Sequence, residues 1–388
     1  MSPLRPEIVV DDGALARNVA RLTEVAQGAA LIAVVKADGY GHGLVPAAGA
    51  MRAGGAPWLA TATPAEALAL RAAGDEGPLL CWLTVPADDL APVVAAGVDV
   101  TAYSLAELAQ VADAVTRTGR PARLQLKVDT GLSRGGAARE QWRGLFAEAA
   151  RGEAEGRWRV TGVWSHLACA DDPAHPANDA QEQAFREALE AADAAGLEPE
   201  VRHLANSAGT VLRPSARFDA VRCGIATYGL DPAPGHTDDL GLDLEPAMTV
   251  RAPLALVKRL EPGDGVSYGH TFTADRPMTV GLVPVGYGDG LPRHASNRAQ
   301  VWVGGRRRPL LGRVCMDQVV VEVGDGAAPG DEVVLFGPGD RGEPTAQDWA
   351  EACETINYEI VTRIGGRLPR RHVTTSGRSD RVVAEAVR

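Results

Sequence analysis

Eight short apolar runs, separated by alanine-rich stretches of helical periodicity, restrict the possible folds of this chain more than any other feature. The runs are continuous and partly β-branched, which is typical of strands buried on both faces of a parallel sheet. Eight alternating β and α units predict a TIM-type (β/α)8 barrel, although periodicity alone does not distinguish it from a doubly wound open sheet. The runs are residues 31–35, 58–62, 79–83, 98–102, 124–128, 160–164, 201–205 and 220–223, and helical stretches include 64–73, 105–116 and 180–195.

The pattern changes near residue 240, where helical periodicity nearly vanishes and glycine and proline punctuate the chain. Only residues 346–353 keep a helical pattern there. The second part therefore reads as a mostly-β domain. We predict a barrel domain at residues 1–242 and a mostly-β domain at residues 243–388, with strands at 248–256, 278–285, 300–303, 319–323 and 332–336.

Bulk properties limit the class of function. A length of 388 residues suits two domains. The net charge of −11 and the lack of a basic stripe argue against nucleic acid as a partner. Five scattered cysteines without a Cys-x-x-Cys motif indicate neither disulfides nor a metal site. The sequence shows no signal peptide and no membrane span, so we expect a cytoplasmic protein with no membrane partner.

Side chains that can take part in catalysis or binding stand directly after the apolar runs. In (β/α)8 barrels the carboxyl ends of the strands meet at one mouth, and this mouth carries the chemistry. The clustering of these residues after the runs supports a closed barrel with a single site. The residues are Lys36, Lys127, Arg134, His166, Asn206, Ser207 and Arg222.

Lys36 ends the first run and precedes a glycine-rich turn. Partial burial at a strand end lowers the pKa of a lysine and favours the neutral amine, which can form a Schiff base. A single lysine at a strand end is more often a surface charge. The turn fits neither a dinucleotide fingerprint, because Leu44 stands where the third glycine belongs, nor a P-loop, because no Gly-Lys-Ser/Thr follows.

Residues 35–43 read Val-Lys-Ala-Asp-Gly-Tyr-Gly-His-Gly, and this segment closely resembles the pyridoxal-phosphate lysine segment of the alanine racemases. The resemblance extends along the chain to residues 367–370. It implies a homodimeric, pyridoxal-phosphate-dependent isomerase that interconverts L-alanine and D-alanine and supplies D-alanine for peptidoglycan in cell-wall biogenesis.

The resemblance also assigns the reacting groups. Lys36 corresponds to the lysine that carries pyridoxal 5'-phosphate and acts as one base, and Tyr268 to the second base on the opposite face of the substrate α-carbon. Arg134 and the backbone at Met316 correspond to the clamp on the substrate carboxylate. In the family Tyr268 and Met316 come from the partner subunit, so the sites are shared. Lys127 matches a position that is carbamylated in some members.

The remaining assignments concern the cofactor. Arg222 corresponds to the arginine that faces the pyridine nitrogen, where a permanently charged donor leaves the ring a weak electron sink and favours rapid reprotonation. His166 resembles the histidine that supports this arginine. Without the motif, Arg222 reads equally well as a surface salt-bridge partner and His166 reads more readily as a structural residue. The alternative for Tyr40 and Tyr358 is half-buried packing. The residues that resemble the phosphate ligands are Tyr40, Asn206, Ser207, Gly224, Ile225 and Tyr358.

Alternative functions remain open at this stage. A racemase of broader specificity, acting on serine or lysine, would keep the same cofactor residues. A basic amino-acid decarboxylase of similar architecture places a carboxylate at the pyridine nitrogen, and Arg222 argues against it. A non-catalytic pyridoxal-phosphate-binding barrel would lack a second domain and the segments around Tyr268 and Met316, which are present here.

Overall fold

A computed structural model describes residues 4–377 of the chain. In this part of the chain eight parallel strands close into a barrel, because β2 pairs both with β3 and with β9. The predicted TIM-type barrel is therefore confirmed, and each predicted run overlaps one strand of the barrel. The first strand, β1 (Glu7–Asp11), lies outside the barrel, whose strands are β2 (Ala30–Val34), β3 (Trp58–Thr61), β4 (Leu79–Cys81), β5 (Asp99–Ala102), β6 (Ala122–Lys127), β7 (Trp158–Trp164), β8 (Val201–His203) and β9 (Ala220–Cys223).

Helices cover the outside of the barrel, and several begin at side chains that cap them. Thr63 forms a capping box with Glu66 before Pro64, and Ser104 accepts a hydrogen bond from the Glu107 amide. The three predicted helical stretches are confirmed as α4, α6 and α8. The helices are α1 (Asp12–Ala26), α2 (Lys36–Tyr40), α3 (Leu44–Ala53), α4 (Pro64–Ala72), α5 (Ala91–Ala95), α6 (Leu105–Thr118), α7 (Trp142–Ala154), α8 (Ala177–Ala194), α9 (Ser207–Leu212), α10 (Ala346–Ala352) and α11 (Asn357–Arg363).

The second part of the chain is mostly β, as predicted. Among the described residues its main sheet has nine strands in the order β11-β14-β17-β16-β15-β18-β10-β1-β19, and β12 and β13 form a separate hairpin. These strands are β10 (Met248–Pro253), β11 (Leu256–Leu260), β12 (Gly265–Val266), β13 (Phe272–Thr273), β14 (Met278–Val283), β15 (Gln300–Val303), β16 (Arg306–Leu311), β17 (Val319–Val323), β18 (Glu332–Phe336) and β19 (Arg370–Val373).

Several details differ from the sequence prediction for this part. The predicted strand at 248–256 is divided, since β10 ends at Pro253 and β11 begins at Leu256. β12, β13, β16 and β19 were not predicted, and in β16 three arginines interrupt any apolar alternation. The prediction of a single helical segment was wrong, because α11 follows α10.

The chain passes between the barrel and the C-terminal sheet more than once. β1 pairs antiparallel with β10 and parallel with β19, so residues before α1 belong to the C-terminal sheet. Glu7 and Arg251 form an ion pair of 2.7 Å across this junction. The predicted boundary between residues 242 and 243 stays a prediction, and residues 1–3 and 378–388 of the predicted domains lie outside the described range.

One apolar core runs through the barrel and continues into the C-terminal sheet, and a smaller cluster lies beneath the β12–β13 hairpin. Among the residues that the structure describes, no helix combines the length and apolar character that crossing a membrane requires.

Candidate active site

A cavity of about 340 Å³ lies at the carboxyl ends of the barrel strands, where the sequence predicted a site. Strand pairing explains this convergence, because β2 and β9 are neighbours and Ile32 stands opposite Arg222 in their register. All predicted site residues except Tyr268 and Met316 line the cavity. They are Lys36, Tyr40, Lys127, Arg134, His166, Asn206, Ser207, Arg222, Gly224, Ile225 and Tyr358, joined by the unpredicted Val34, Trp82, Trp164 and Thr362.

The Lys36 amine lies inside this cavity, with Nζ 5.7 Å from the centre of the Trp82 ring and 6.0 Å from that of Tyr40. Burial, followed by the positive charge of Arg134, lowers the pKa of Lys36 below its usual value. A lowered pKa increases the fraction of neutral amine, which is the nucleophilic and proton-accepting form.

The backbone after Lys36 forms one turn of left-handed conformation. Ala37, Asp38, Gly39 and Tyr40 all have φ between 51° and 61°, a conformation that costs about 1–2 kcal/mol for each residue with a side chain. Neighbouring groups hold the turn in place: Glu66 Oε1 accepts from the Ala37 amide at 2.7 Å. The turn reverses the chain within four residues and directs the Tyr40 ring into the cavity.

Two further side chains support this turn. Asp38 accepts from the Leu44 amide at 2.8 Å and pairs with Arg370 at 2.9 Å. His42 is fully buried, and its Nδ1 lies 3.1 Å from the Gly39 carbonyl and 3.0 Å from the Tyr40 carbonyl. Because both partners are acceptors, Nδ1 carries the hydrogen. Burial lowers the pKa of His42 to about 4, so the ring is neutral at neutral pH.

One end of the cavity gathers small polar groups. The Gly224 amide donates to Ser207 Oγ at 2.9 Å, and Asn206 begins α9 by accepting from the Gly209 amide. Tyr40 Oη lies directly against Gly224, because a Cβ at that position would stand 2.3 Å from the hydroxyl. A glycine is therefore required here by the close approach of the tyrosine, and the hydroxyl, serine and backbone amides together form a cradle for an anion.

Tyr358, on α11, completes this end of the cavity. Its ring lies 6.3 Å from that of Tyr40. Burial raises the pKa of both phenols well above their usual value, with Tyr358 adding to the shift at Tyr40 and Asp171 adding to the shift at Tyr358. Both hydroxyls are therefore protonated at neutral pH and can donate hydrogen bonds to an anion.

The opposite end is dominated by Arg222, which is buried and bonded only to neutral acceptors. Its guanidinium donates to the carbonyls of Ser165, His203 and Leu204 at 2.6, 3.1 and 3.0 Å. Burial lowers the pKa of Arg222 to about 9, which leaves it charged at neutral pH. His166 Nδ1 lies 3.1 Å from Arg222 Nη2.

His203 contacts Arg222 more closely than His166 does, with Nδ1 2.7 Å from Nη1. His203 was not among the predicted site residues, although it lies within the predicted run 201–205. Its position at the end of β8 was the available signal. Burial lowers the pKa of His203 well below its usual value, followed by the charge of Arg222, so the imidazole is neutral and accepts from the guanidinium.

Lys127 and Arg134 lie on one side of the cavity. Lys127 Nζ is 4.5 Å from the centre of the Trp164 ring. Burial, followed by the charges of Arg222 and Arg134, lowers the pKa of Lys127 to about 8. Arg134 also lines an adjoining cavity of about 300 Å³, which shares His166 and Tyr358 with the first.

Tyr268 and Met316 lie on the surface of the C-terminal domain, and in this chain neither lines the cavity. Their side chains are 71% and 55% exposed, and the nearby Tyr287 is 41% exposed. The loops that carry them are bonded to each other. Ser267 Oγ donates to the Arg313 carbonyl at 2.7 Å, and the Gly288 amide donates to the Met316 carbonyl at 2.8 Å. Large apolar side chains thus stand together on a fixed surface, which is typical of interaction sites.

Comparison with known proteins agrees with this architecture in both domains. The family model described as alanine racemase, N-terminal domain, matches residues 10–232. The model described as alanine racemase, C-terminal domain, matches residues 247–372. Together they account for most of the chain.

Individual relatives extend the similarity over nearly the full length. A Thermobifida fusca protein named alanine racemase is 57% identical over 365 residues, which is 94% of this chain and 97% of the relative. The structure of alanine racemase from Streptomyces coelicolor A3(2) has a TM-score of 0.94 at 52% identity and covers 96% of this chain and 98% of its own. That from D-cycloserine-producing Streptomyces lavendulae has a TM-score of 0.94 at 49% identity, covering 97% and 98%.

Proposed function

The chain belongs to the alanine racemase family of isomerases and interconverts L-alanine and D-alanine, and we propose that it does so with pyridoxal phosphate held at the barrel mouth. This proposal rests on one observation. The buried amine of Lys36 and the buried guanidinium of Arg222 line the same cavity, and no carboxylate of the described residues pairs with Arg222. The role of its product in peptidoglycan follows from the resemblance to the family, and a cytoplasmic location stays a prediction.

The residues present fit pyridoxal phosphate. The phosphate would be held by the hydroxyls of Tyr40, Tyr358 and Ser207 and by the backbone of Gly224 and Ile225. Because Gly224 has no side chain, there is room for it beside Tyr40. Lys36 would hold the aldehyde carbon, and Arg222 would donate to the pyridine nitrogen. When bound, the cofactor would delocalise the electron pair that remains when the substrate α-carbon loses its proton.

Arg222 determines how strongly that electron pair is stabilised. A guanidinium that is charged at neutral pH can only donate a hydrogen bond, and it has little tendency to release a proton to the pyridine nitrogen. Beside such a donor, the pyridine ring of the cofactor would be a moderate electron acceptor. Moderate stabilisation favours prompt return of a proton to the α-carbon and disfavours decarboxylation and transamination.

Two bases on opposite faces of the α-carbon are needed to invert its configuration. Lys36 Nζ would take or give the proton on one face. We assign the other face to the Tyr268 hydroxyl. Arg134 would bind the substrate carboxylate beside Lys36, since it lines both adjoining cavities.

Tyr268 can serve this role only from a second copy of the chain. Its exposure, together with that of Met316 and Tyr287, supports a surface that is covered in a homodimer. In that arrangement the C-terminal domain of one subunit would close the barrel mouth of the other, exclude water and supply Tyr268 and the Met316 backbone to the partner's site.

Lys127 is proposed to carry a carbamate. The pKa of about 8 keeps a fraction of its amine neutral at neutral pH, and only the neutral amine adds to carbon dioxide. The neutral nitrogen forms a bond to the carbon of CO2, one C=O electron pair moves onto oxygen, and the nitrogen loses a proton, so the neutral amine becomes a carbamate anion. Starting from the ammonium form, two protons are released in all. Such an anion would be stabilised by Arg134 and Arg222, whose charges otherwise repel the lysine.

Covalent labelling tests the proposal directly, because the chain has only three lysines: Lys36, Lys127 and Lys258. The purified protein loaded with pyridoxal phosphate should racemise L-alanine, and borohydride should fix the cofactor on Lys36 and stop the reaction. Peptide mass mapping reads the position. Lys127 serves as the internal control, since it lies in the same cavity and should stay unlabelled. Labelling of Lys127 or Lys258 in place of Lys36 would contradict the assignment.

A further inference from the structure

A continuous row of polar side chains runs through the barrel interior, starting at Arg222. Arg222 Nη1 lies 2.7 Å from His203 Nδ1, and His203 Nε2 lies 2.8 Å from Gln125 Oε1. Gln125 Nε2 then donates to Asp99 Oδ2 at 3.2 Å. Arg222 is 3% exposed and the other three are 0% exposed. Polar groups buried so deeply destabilise a fold unless each is hydrogen bonded, so this row demands an explanation beyond packing.

The far end of the row is a buried carboxylate. Asp99 Oδ1 accepts from Arg123 Nε at 2.6 Å, and Thr161 Oγ1 donates to Asp99 Oδ2. Arg123 reaches the surface and also pairs with Glu200 at 3.3 Å. Three donors thus hold Asp99 in its acceptor-only, ionised form although burial raises the pKa of its carboxyl.

The chemistry of the two ends determines every hydrogen position between them. Because Asp99 only accepts, the Gln125 amide must turn its NH2 group toward Asp99 and its oxygen toward His203. His203 must then carry its hydrogen on Nε2, which leaves a lone pair on Nδ1. That lone pair faces the Arg222 guanidinium, which only donates. The donors therefore all point from the active site toward Asp99.

Neighbouring groups hold Gln125 and His203 in place. Gly162 lies against Gln125, since a Cβ there would stand 2.8 Å from the Gln125 carboxamide, and a larger residue would displace it. The Trp164 ring stacks on His203 at 5.5 Å with an interplanar angle of 8°. Both contacts fix the planes of the hydrogen-bonding groups.

The row also explains how the buried charge of Arg222 is stabilised without a carboxylate beside it. In residues 4–377 no carboxylate forms an ion pair with Arg222, and its partners are three carbonyls and two imidazoles. A buried charge without compensation is strongly unfavourable. A polarised row of hydrogen bonds ending at Asp99 places a negative charge at the far end of the same network.

We propose that Asp99, Gln125 and His203 are positioning residues for Arg222: Asp99 orients the Gln125 amide, Gln125 holds the hydrogen of His203 on Nε2, and His203 holds the guanidinium toward the cavity. The proposal rests on the role of Arg222 given under the proposed function. Gln125 and Asp99 contribute without contacting substrate or cofactor, from inside the barrel.

Histidine nitrogen NMR tests the first step on the full-length protein, with or without cofactor. Protein labelled with 15N-histidine should show one neutral His203 tautomer with hydrogen on Nε2, its signal assigned by loss in His203→Asn. Hydrogen on Nδ1, or a protonated ring at neutral pH, would overturn the proposal whether or not the Gln125 and Asp99 variants fold. This readout does not depend on racemase activity, so an inactive wild type would refute the proposed function and leave the tautomer result standing.

Variants test the remaining steps. Gln125→Leu leaves the Nε2 hydrogen of His203 without an acceptor, and Asp99→Asn removes the fixed polarity of the Gln125 amide, so the 15N shift of His203 Nε2 should move while Nδ1 still faces Arg222. The value of kcat for alanine should fall about tenfold, as when partners that orient metal-ligating side chains are lost, while KM changes little. Thr161→Val is the matched control, because it removes a hydrogen bond to Asp99 that lies off the row while the Arg123 guanidinium still holds Asp99 ionised, and it should retain the Nε2 shift and kcat. A folded Gln125→Leu with unchanged Nε2 shift and kcat, or an equal loss in Thr161→Val, would refute the proposal.

Discussion

Replacing Tyr40 by phenylalanine should weaken cofactor binding without unfolding the protein. The Tyr40 hydroxyl lies against Gly224, at the end of the cavity that we propose to hold the phosphate, and burial keeps it protonated. The change removes one hydrogen bond to a charged group, worth about 1.5–3 kcal/mol. That free energy corresponds to a dissociation constant for pyridoxal phosphate raised roughly 10- to 150-fold.

Tyr228 provides the matched control. Its ring packs on Tyr40 with centroids 4.8 Å apart, but its hydroxyl donates to the Val34 carbonyl at 3.0 Å. Tyr228→Phe should therefore reduce the free energy of unfolding by about 0.5–1.5 kcal/mol and leave cofactor affinity unchanged. Absorbance titration of the cofactor-free variants measures affinity, and urea unfolding measures stability.

The contrast between the two tyrosines decides the result. The reasoning is refuted if Tyr40→Phe binds pyridoxal phosphate as tightly as the wild type. It is also refuted if Tyr228→Phe weakens binding as much as Tyr40→Phe does, because the cause would then be a general loosening of the stacked rings.

Two further predictions follow from titrating groups. The pKa of His42 is about 4 in the fold and about 6.5 in an unfolded chain. Unfolding therefore takes up a proton between these values, and stability falls as pH drops below 6.5 by up to about 1.4 kcal/mol per pH unit from this residue. Urea unfolding across pH 4–7 should show a shallower slope for His42→Asn, and an identical slope would contradict this. Intact-protein mass spectra should show one CO2 on Lys127 in bicarbonate buffer, lost after acid treatment and absent in Lys127→Ala. The same added mass in Lys127→Ala would show that the CO2 is not bound to Lys127.

The sequence predicted the barrel and the position of its site because both depend on local patterns. Eight apolar runs specify the strands, and strand ends in a parallel barrel meet at one mouth. Lys36 and Arg222 were found in this way, since each stands at the end of a run and the closing register brings them to one cavity.

Features that depend on distant pairing were not predicted. β1 joins the C-terminal sheet through residues about two hundred and forty positions away, and no local pattern reveals that choice. α11 was missed because β-branched residues weaken its helical pattern and no side chain caps its start. The role of His203 arises only when β8 and β9 lie side by side.

The left-handed turn after Lys36 lies between these cases. The glycines of residues 39–43 indicated a tight turn, but Ala37, Asp38 and Tyr40 also adopt positive φ. Their conformation is imposed by tertiary partners such as Glu66 and Arg370, which stand far away in the sequence. Local propensity therefore shows where the chain turns, and the tertiary contacts determine that the turn is left-handed.

Subunit mixing tests most directly the central claim, that each site combines Lys36 of one chain with Tyr268 of another. Lys36→Ala and Tyr268→Ala homodimers should each be nearly inactive, because each loses one base at both sites. A mixed dimer carries both defects at one site and none at the other. With random reassociation about half of the dimers are mixed, so roughly a quarter of wild-type activity should return. Recovery near zero, with mixed dimers verified by differential tagging, would contradict the shared site.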